Sequence, residues 1–165
     1  MALEFEELRV LQQAEEVADG VWKQVSGWEV FARDTVGKQL VRAVDSIGAN
    51  VAEAYGRFHY GEKLQFLYYA RGSLFETKYW LNRARERTLM SSSGVQEQTT
   101  RLTDLARQLN SFAAMIKSQR HPGRSQAKGV REAEPEYAAQ PKEAEDPFLT
   151  DQGLHWLESA PISNT

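Results

Sequence analysis

From residue 102 to 116, Leu102, Leu105, Leu109, Phe112 and Ile116 follow one another at steps of three and four. This spacing lines apolar side chains along one seam of a helix. Ser93, with Gln96 three residues on, marks the expected start of that helix as a capping box. The same period recurs upstream. Leu11, Ala14, Ala18, Val21, Trp22 and Val25 predict a helix over about residues 6–25, closed by Gly27. Val36, Leu40, Ala43, Ile47, Val51 and Ala54 predict a second, beginning after Asp34 as N-cap and stopping at Gly56. A third covers about residues 61–87. Long helices joined by short loops predict an all-α chain folded as an up-and-down antiparallel four-helix bundle.

The third helix is apolar on two sides. Phe66, Leu67, Ala70, Leu74, Leu81 and Ala84 share one face, while Leu64, Tyr68, Phe75 and Tyr79 form a second stripe well over a hundred degrees away at 100° per residue. One core cannot bury both, so the second stripe is the expected oligomer interface; half-exposed aromatics are the plainer alternative. The second helix instead carries a polar line, Gln39, Arg42, Ser46, Asn50, Glu53 and Arg57, along the border of its apolar face. Charge beside a core needs partners, which predicts a polar network of Asn50 and Glu53 with Arg71, joined by Glu76 as an ion-pair partner. Direct ligand contact by Asn50 and Glu53 is the functional alternative.

Charge and proline divide the chain near Arg120. Residues 1–120 hold 16 Lys and Arg against 15 Asp and Glu, and residues 121–165 hold 4 against 8. All five prolines, Pro122, Pro135, Pro141, Pro147 and Pro161, lie in the second part. That part reads as a flexible, Pro-rich acidic tail following a 1–120 bundle domain. Its end regains apolar character. Phe148, Leu149, Leu154, Trp156 and Leu157 predict a short helix near residues 151–158, with Asp151 available as N-cap, able to dock in a groove of its own assembly or of a partner. A disordered terminus, or an acidic shield over a basic surface, are the alternatives.

Several chemistries are excluded. The chain has no cysteine, so it can form no disulfide and has no thiolate nucleophile or cysteine metal ligand. A di-iron bundle requires Glu-x-x-His, but His59, His121 and His155 have Gly56, Ser118 and Gln152 three positions earlier. Phosphate-loop, dinucleotide, zincin and serine-hydrolase motifs do not occur. No enzyme activity, cofactor or metal is expected. With a mean hydropathy of -0.57, no long apolar run and no signal-like start, a cytoplasmic protein without membrane contact is expected.

Cations suggest binding instead. Arg71, Lys78 and Arg85 recur every seven residues among the aromatics of the third helix, and Arg83 and Arg87 extend the row. With Arg42, Arg57 and Lys63 they are the candidate nucleic-acid ligands, because phosphates need cations spread over a surface. Helix-dipole compensation by the same arginines and neutralisation by Glu62, Glu76 and Glu86 are the structural alternative.

Three stretches carry a resemblance: FEELRVLQQAEEVA, then GKQLVRAVDSIGANVAEAYGR, then FLYYARGSLFETKYWL. In this order and spacing, over about residues 4–119, the chain resembles the four-helix-bundle proteins encoded in intervening sequences of bacterial 23S ribosomal RNA genes, a family similar in turn to the accessory variability determinant of diversity-generating retroelements. It departs from the family at Gly48, where Pro is usual, and at Ala54, where Gly is usual. The resemblance implies a homopentameric barrel with a basic surface that binds RNA or DNA as an accessory factor, with a reverse transcriptase or ribosomal RNA as the candidate partner. A protein-interaction scaffold that binds no nucleic acid is the competing expectation.

Overall fold

The computed structural model describes residues 8–120 and 148–159. Among them every regular element is helical. Helix α1, Arg9–Ser26, buries Val10, Leu11, Ala14, Val17, Val21 and Val25 at helical spacing and ends at Gly27. Helix α2 runs without a break through Val30–Ala32, the wider π-helical turn Arg33–Gly37, and Lys38–Gly56. Asp34 is therefore not the N-cap. It lies inside the π turn, where one extra residue is accommodated and the helix continues. Gly37 allows α1 to come close there, since a Cβ at this position would lie 2.6 Å from Val25 Cγ1. Gly48 leaves α2 uninterrupted.

Helix α3, Tyr60–Glu86, turns Leu64, Leu67, Ala70, Leu74, Leu81 and Ala84 into the core. It ends in a Schellman arrangement: Leu89 N–H donates to Ala84 O at 2.8 Å, and Thr88 N–H donates to Arg85 O at 2.9 Å. Thr88 holds the left-handed conformation this requires, with φ 56°. Helix α4, Ser92–Arg120, is capped by Ser91, whose Oγ accepts from Gly94 N–H at 3.1 Å. The Ser93 capping box does not form, and Ser93 Oγ bonds Ser91 Oγ instead. Helix α5, Asp151–Glu158, is capped by the Thr150 side chain, which accepts from Gly153 N–H at 3.0 Å, and not by Asp151.

The four long helices surround one core, with α1 against α2 and α4, and α3 against the same two. Phe148, Leu149 and Leu157 belong to that same apolar cluster. The tail is therefore folded onto the helices at least over its described part. The flexible acidic stretch expected at 121–147, and residues 160–165, lie outside the described residues.

Candidate nucleic-acid interface and the face beneath the C-terminal segment

Apolar residues of the C-terminal segment cover part of the second face of α3. Tyr68 and Phe75 project away from the helix core, and the chain's own C-terminal segment leaves them only partly exposed. The Phe148 ring lies 5.1 Å from that of Tyr68, and Trp156 stacks on Phe75 at 5.4 Å. Leu149 and Leu157 are buried in the same seat, with Leu154 packed beside them. The expected interface set is thereby split. Leu64 is core, Tyr68 and Phe75 are covered by the chain's own segment, and Tyr79 remains 51% exposed.

Polar groups fix the main chain of the segment. Arg71 Nη1 donates to Phe148 O at 2.7 Å, with its guanidinium over the Tyr68 and Phe148 rings. Asn110 holds Leu149 twice: its Oδ1 accepts from Leu149 N–H at 2.8 Å, and its Nδ2 donates to Leu149 O at 3.4 Å. Arg107 pairs with Glu158 and also with Asp104. A carbonyl entering an apolar seat needs a donor, and these side chains supply it.

The expected network among Asn50, Glu53 and Arg71 does not form. Asn50 donates to Ser46 O one turn back on its own helix, and Glu53 pairs with Arg57. Arg71 has been drawn to the C-terminal segment, and Glu76 accepts from Trp80 Nε1. Polar spacing along one helix did not specify partners across helices, because bonds one turn away on the same helix satisfied them first.

The row of cations on α3 is mostly spent. Lys78 is 2% exposed and donates to Thr99 Oγ1 at 3.3 Å, so it is no surface phosphate ligand. Burial, followed by the nearby Arg85 charge, pulls its ammonium down to about 8. Beside it on α3, Asn82 Oδ1 is buried without a hydrogen-bond partner, as is Gln98 Oε1 next to Thr99 on α4. Arg85 pairs with Glu86, whose carboxyl is lowered chiefly by that hydrogen bond. Arg57 is held by Glu53 and lies over the Phe66 ring. Arg42, Lys63, Arg83 and Arg87 form no ion pair among the described residues.

Arg42 belongs to a grouping that periodicity did not single out. A groove of about 440 Å³ runs between the end of α1 and the π turn of α2, with Val25, Gly37 and Val41 lining it and Trp22, Arg33, Lys38 and Arg42 at its rim. Trp22 is solvent-exposed there, as is Phe31 in the first turn of α2, to 82%. Asp34 offsets only Arg33, at 3.7 Å. The sequence signal was the close spacing of Arg33, Lys38 and Arg42, but their convergence on Trp22 depends on the π turn. Farther along, a second groove between α1 and α2 carries Glu15, Asp19 and Asp45, and burial followed by Asp19 raises the Asp45 carboxyl. Phosphate is repelled there, so the cationic groove is the phosphate-compatible part of this face.

Among the described residues no cluster could hold a metal ion, and no helix is long and apolar enough to cross a membrane. Compared with family models, residues 6–111 match the one described as 23S rRNA-intervening sequence protein. The match stops before the C-terminal segment. No curated protein matches the chain.

Proposed function

Because the chain belongs to the 23S rRNA-intervening sequence protein family, we propose that it is a non-enzymatic accessory protein that binds nucleic acid as a homo-oligomer. In this reading α1–α4 form an up-and-down antiparallel four-helix bundle, and five copies assemble into a ring. The carrying observation is the groove where Trp22 stands beside Arg33, Lys38 and Arg42. An exposed indole offers a stacking surface for a base, and two cations without ion pairs offer contacts to adjacent phosphates. Repetition around a ring multiplies a modest patch, which a single copy with near-balanced charge requires. In this reading the accessory role brings the protein to ribosomal RNA or to a reverse transcriptase, within the cytoplasm.

Fluorescence anisotropy with labelled single-stranded RNA and DNA tests this. Lys38→Gln with Arg42→Gln lowers affinity about tenfold at moderate salt and reduces the slope of log K against log salt by about 1.4. Unchanged binding in that double variant would overturn the assignment. A second reading, a scaffold for other proteins, draws on Phe31 and Phe58, which are 82% and 88% exposed. It predicts no salt-dependent nucleic-acid binding by the unsubstituted protein.

A further inference from the structure

The groove between α1 and the π turn holds one group at odds with a plain phosphate site. Asp34 lines it together with Trp22, Arg33, Lys38 and Arg42. A carboxylate repels phosphate, so it weakens the contacts that these cations offer. No structural role uses it up. Helix α2 runs through this position, so Asp34 caps no helix end. Arg33 Nε stands 3.7 Å from Asp34 Oδ1, beyond hydrogen-bond length, and both side chains of the pair face solvent. Both carboxylate oxygens are thus able to accept from a ligand.

The size of the groove limits what that ligand is. At about 440 Å³ it lies toward the lower end of the roughly 300–1,000 Å³ typical of small-molecule pockets. It has room for one planar ring system rather than several. Val25 and Val41 supply apolar lining, and the Trp22 indole, 62% exposed, supplies a face on which a base can stack.

A base held on that indole is distinguished by what its edge offers to an acceptor. A carboxylate only accepts, and it is best satisfied by two parallel donors. On the base-pairing edge guanine alone presents such a pair, N1–H beside the N2 amino group. Adenine and cytosine each place an acceptor next to their amino group, and uracil sets its single N–H between two carbonyls.

We infer that the groove selects guanine: Asp34 accepts from N1–H and the N2 amino group of an unpaired guanine stacked on Trp22, while Lys38 and Arg42 hold the flanking phosphates. This rests on the nucleic-acid binding proposed above for the same groove, and it narrows the ligand to a single strand. In a duplex that edge is already paired with cytosine and has nothing to give Asp34. For strands without guanine the carboxylate remains an unanswered negative charge, so it contributes selectivity by repulsion as well as by attraction.

Fluorescence anisotropy of the full chain tests this, with short labelled uridine strands whose central position is adenosine, inosine or guanosine. The expected result is binding about tenfold tighter for guanosine than for adenosine. Inosine, which keeps N1–H and lacks the amino group, falls between them. Annealed to their complements, the guanosine and adenosine strands bind alike. Asp34→Ala loses the preference and binds the adenosine strand at least as tightly as the unsubstituted protein does, because a repelling charge is gone; circular dichroism checks that its helices are retained. Salt-dependent binding by the unsubstituted protein that ignores the central base overturns the guanine assignment and leaves the nucleic-acid reading standing. A guanosine preference that persists in a folded Asp34→Ala variant does the same. Absence of binding to every strand overturns both.

Discussion

Lys78 is the residue whose chemistry departs most from its sequence reading. A lysine at a seven-residue interval between Arg71 and Arg85 looks like part of a charged surface row. The row runs beside α4, and at Lys78 it is covered, with Thr99 of α4 as the ammonium's neighbour. The ammonium keeps one hydroxyl partner and no carboxylate among the described residues. A folded-state value near 8 against an ordinary 10.5 means that the unfolded chain binds more protons between those limits. Stability therefore rises with pH from about 8 to 10.5 through this group, and at neutral pH the cost of burying the charge is fully present. Lys78→Met removes that cost and leaves an apolar side chain of similar length, so it should stabilise the protein by about 1–3 kcal/mol at pH 7. Urea titrations at pH 7 and pH 10 check both statements. The variant's advantage should shrink at the higher pH, and a loss of stability at both pH values would show that the ammonium makes bonds the fold depends on.

At the scale of elements, helix ends and the helix axis followed different rules. The end of α3 illustrates local chemistry: Thr88 occupies a left-handed position that costs a β-branched residue energy, while its N–H and that of Leu89 close the helix. Thr88→Gly relieves this strain and should raise stability by about 1 kcal/mol, read as an increase of several degrees in Tm; a decrease would mean the threonine side chain contributes more than its backbone costs. The core faces of α1 through α4 were legible, because Leu40, Ile47, Leu74, Leu102, Leu105 and their counterparts recur at intervals that only a buried helix face explains. The starts were less so. Asp34 and Ser93 have the chemistry of caps, but the π turn carried α2 past the first, and Ser91 took the donor offered to the second. The site was the least legible part. Spacing puts Arg71 and Tyr68 on one face, but nothing in it says that a backbone carbonyl 77 residues away will be their partner. The meeting of Trp22 with Lys38 and Arg42 likewise depends on two helices and a turn that adds one residue.

For the whole molecule, the C-terminal segment should be less stable than the helices beneath it, because a short helix held by a few side chains can detach while their core stays closed. Its docking gains apolar burial by Phe148, Leu149 and Leu157, against the ordering of a two-turn helix that would not persist alone. Ending the chain after residue 120 should leave the helical signal of α1–α4 largely intact, while Tyr68 and Phe75 become accessible and a dye sensitive to apolar surface brightens. Leu157→Ala should approach but not exceed that effect, since release of the segment limits what any substitution within it can lose. Failure of the truncated chain to fold would instead make the segment part of a single cooperative core, and circular dichroism distinguishes the outcomes. A different consequence follows from α2 itself. Phe31 near its beginning and Phe58 just past its end are both almost fully bare, at opposite ends of that helix. In the assembly proposed above, contacts through these two unlike ends would give each molecule a valence of two, and growth would stop only when the last end met the first. A copy with one end disabled, such as Phe58→Ser, becomes a chain terminator: added at a minor fraction to unsubstituted protein, it should lower the mean assembled mass by more than its own share.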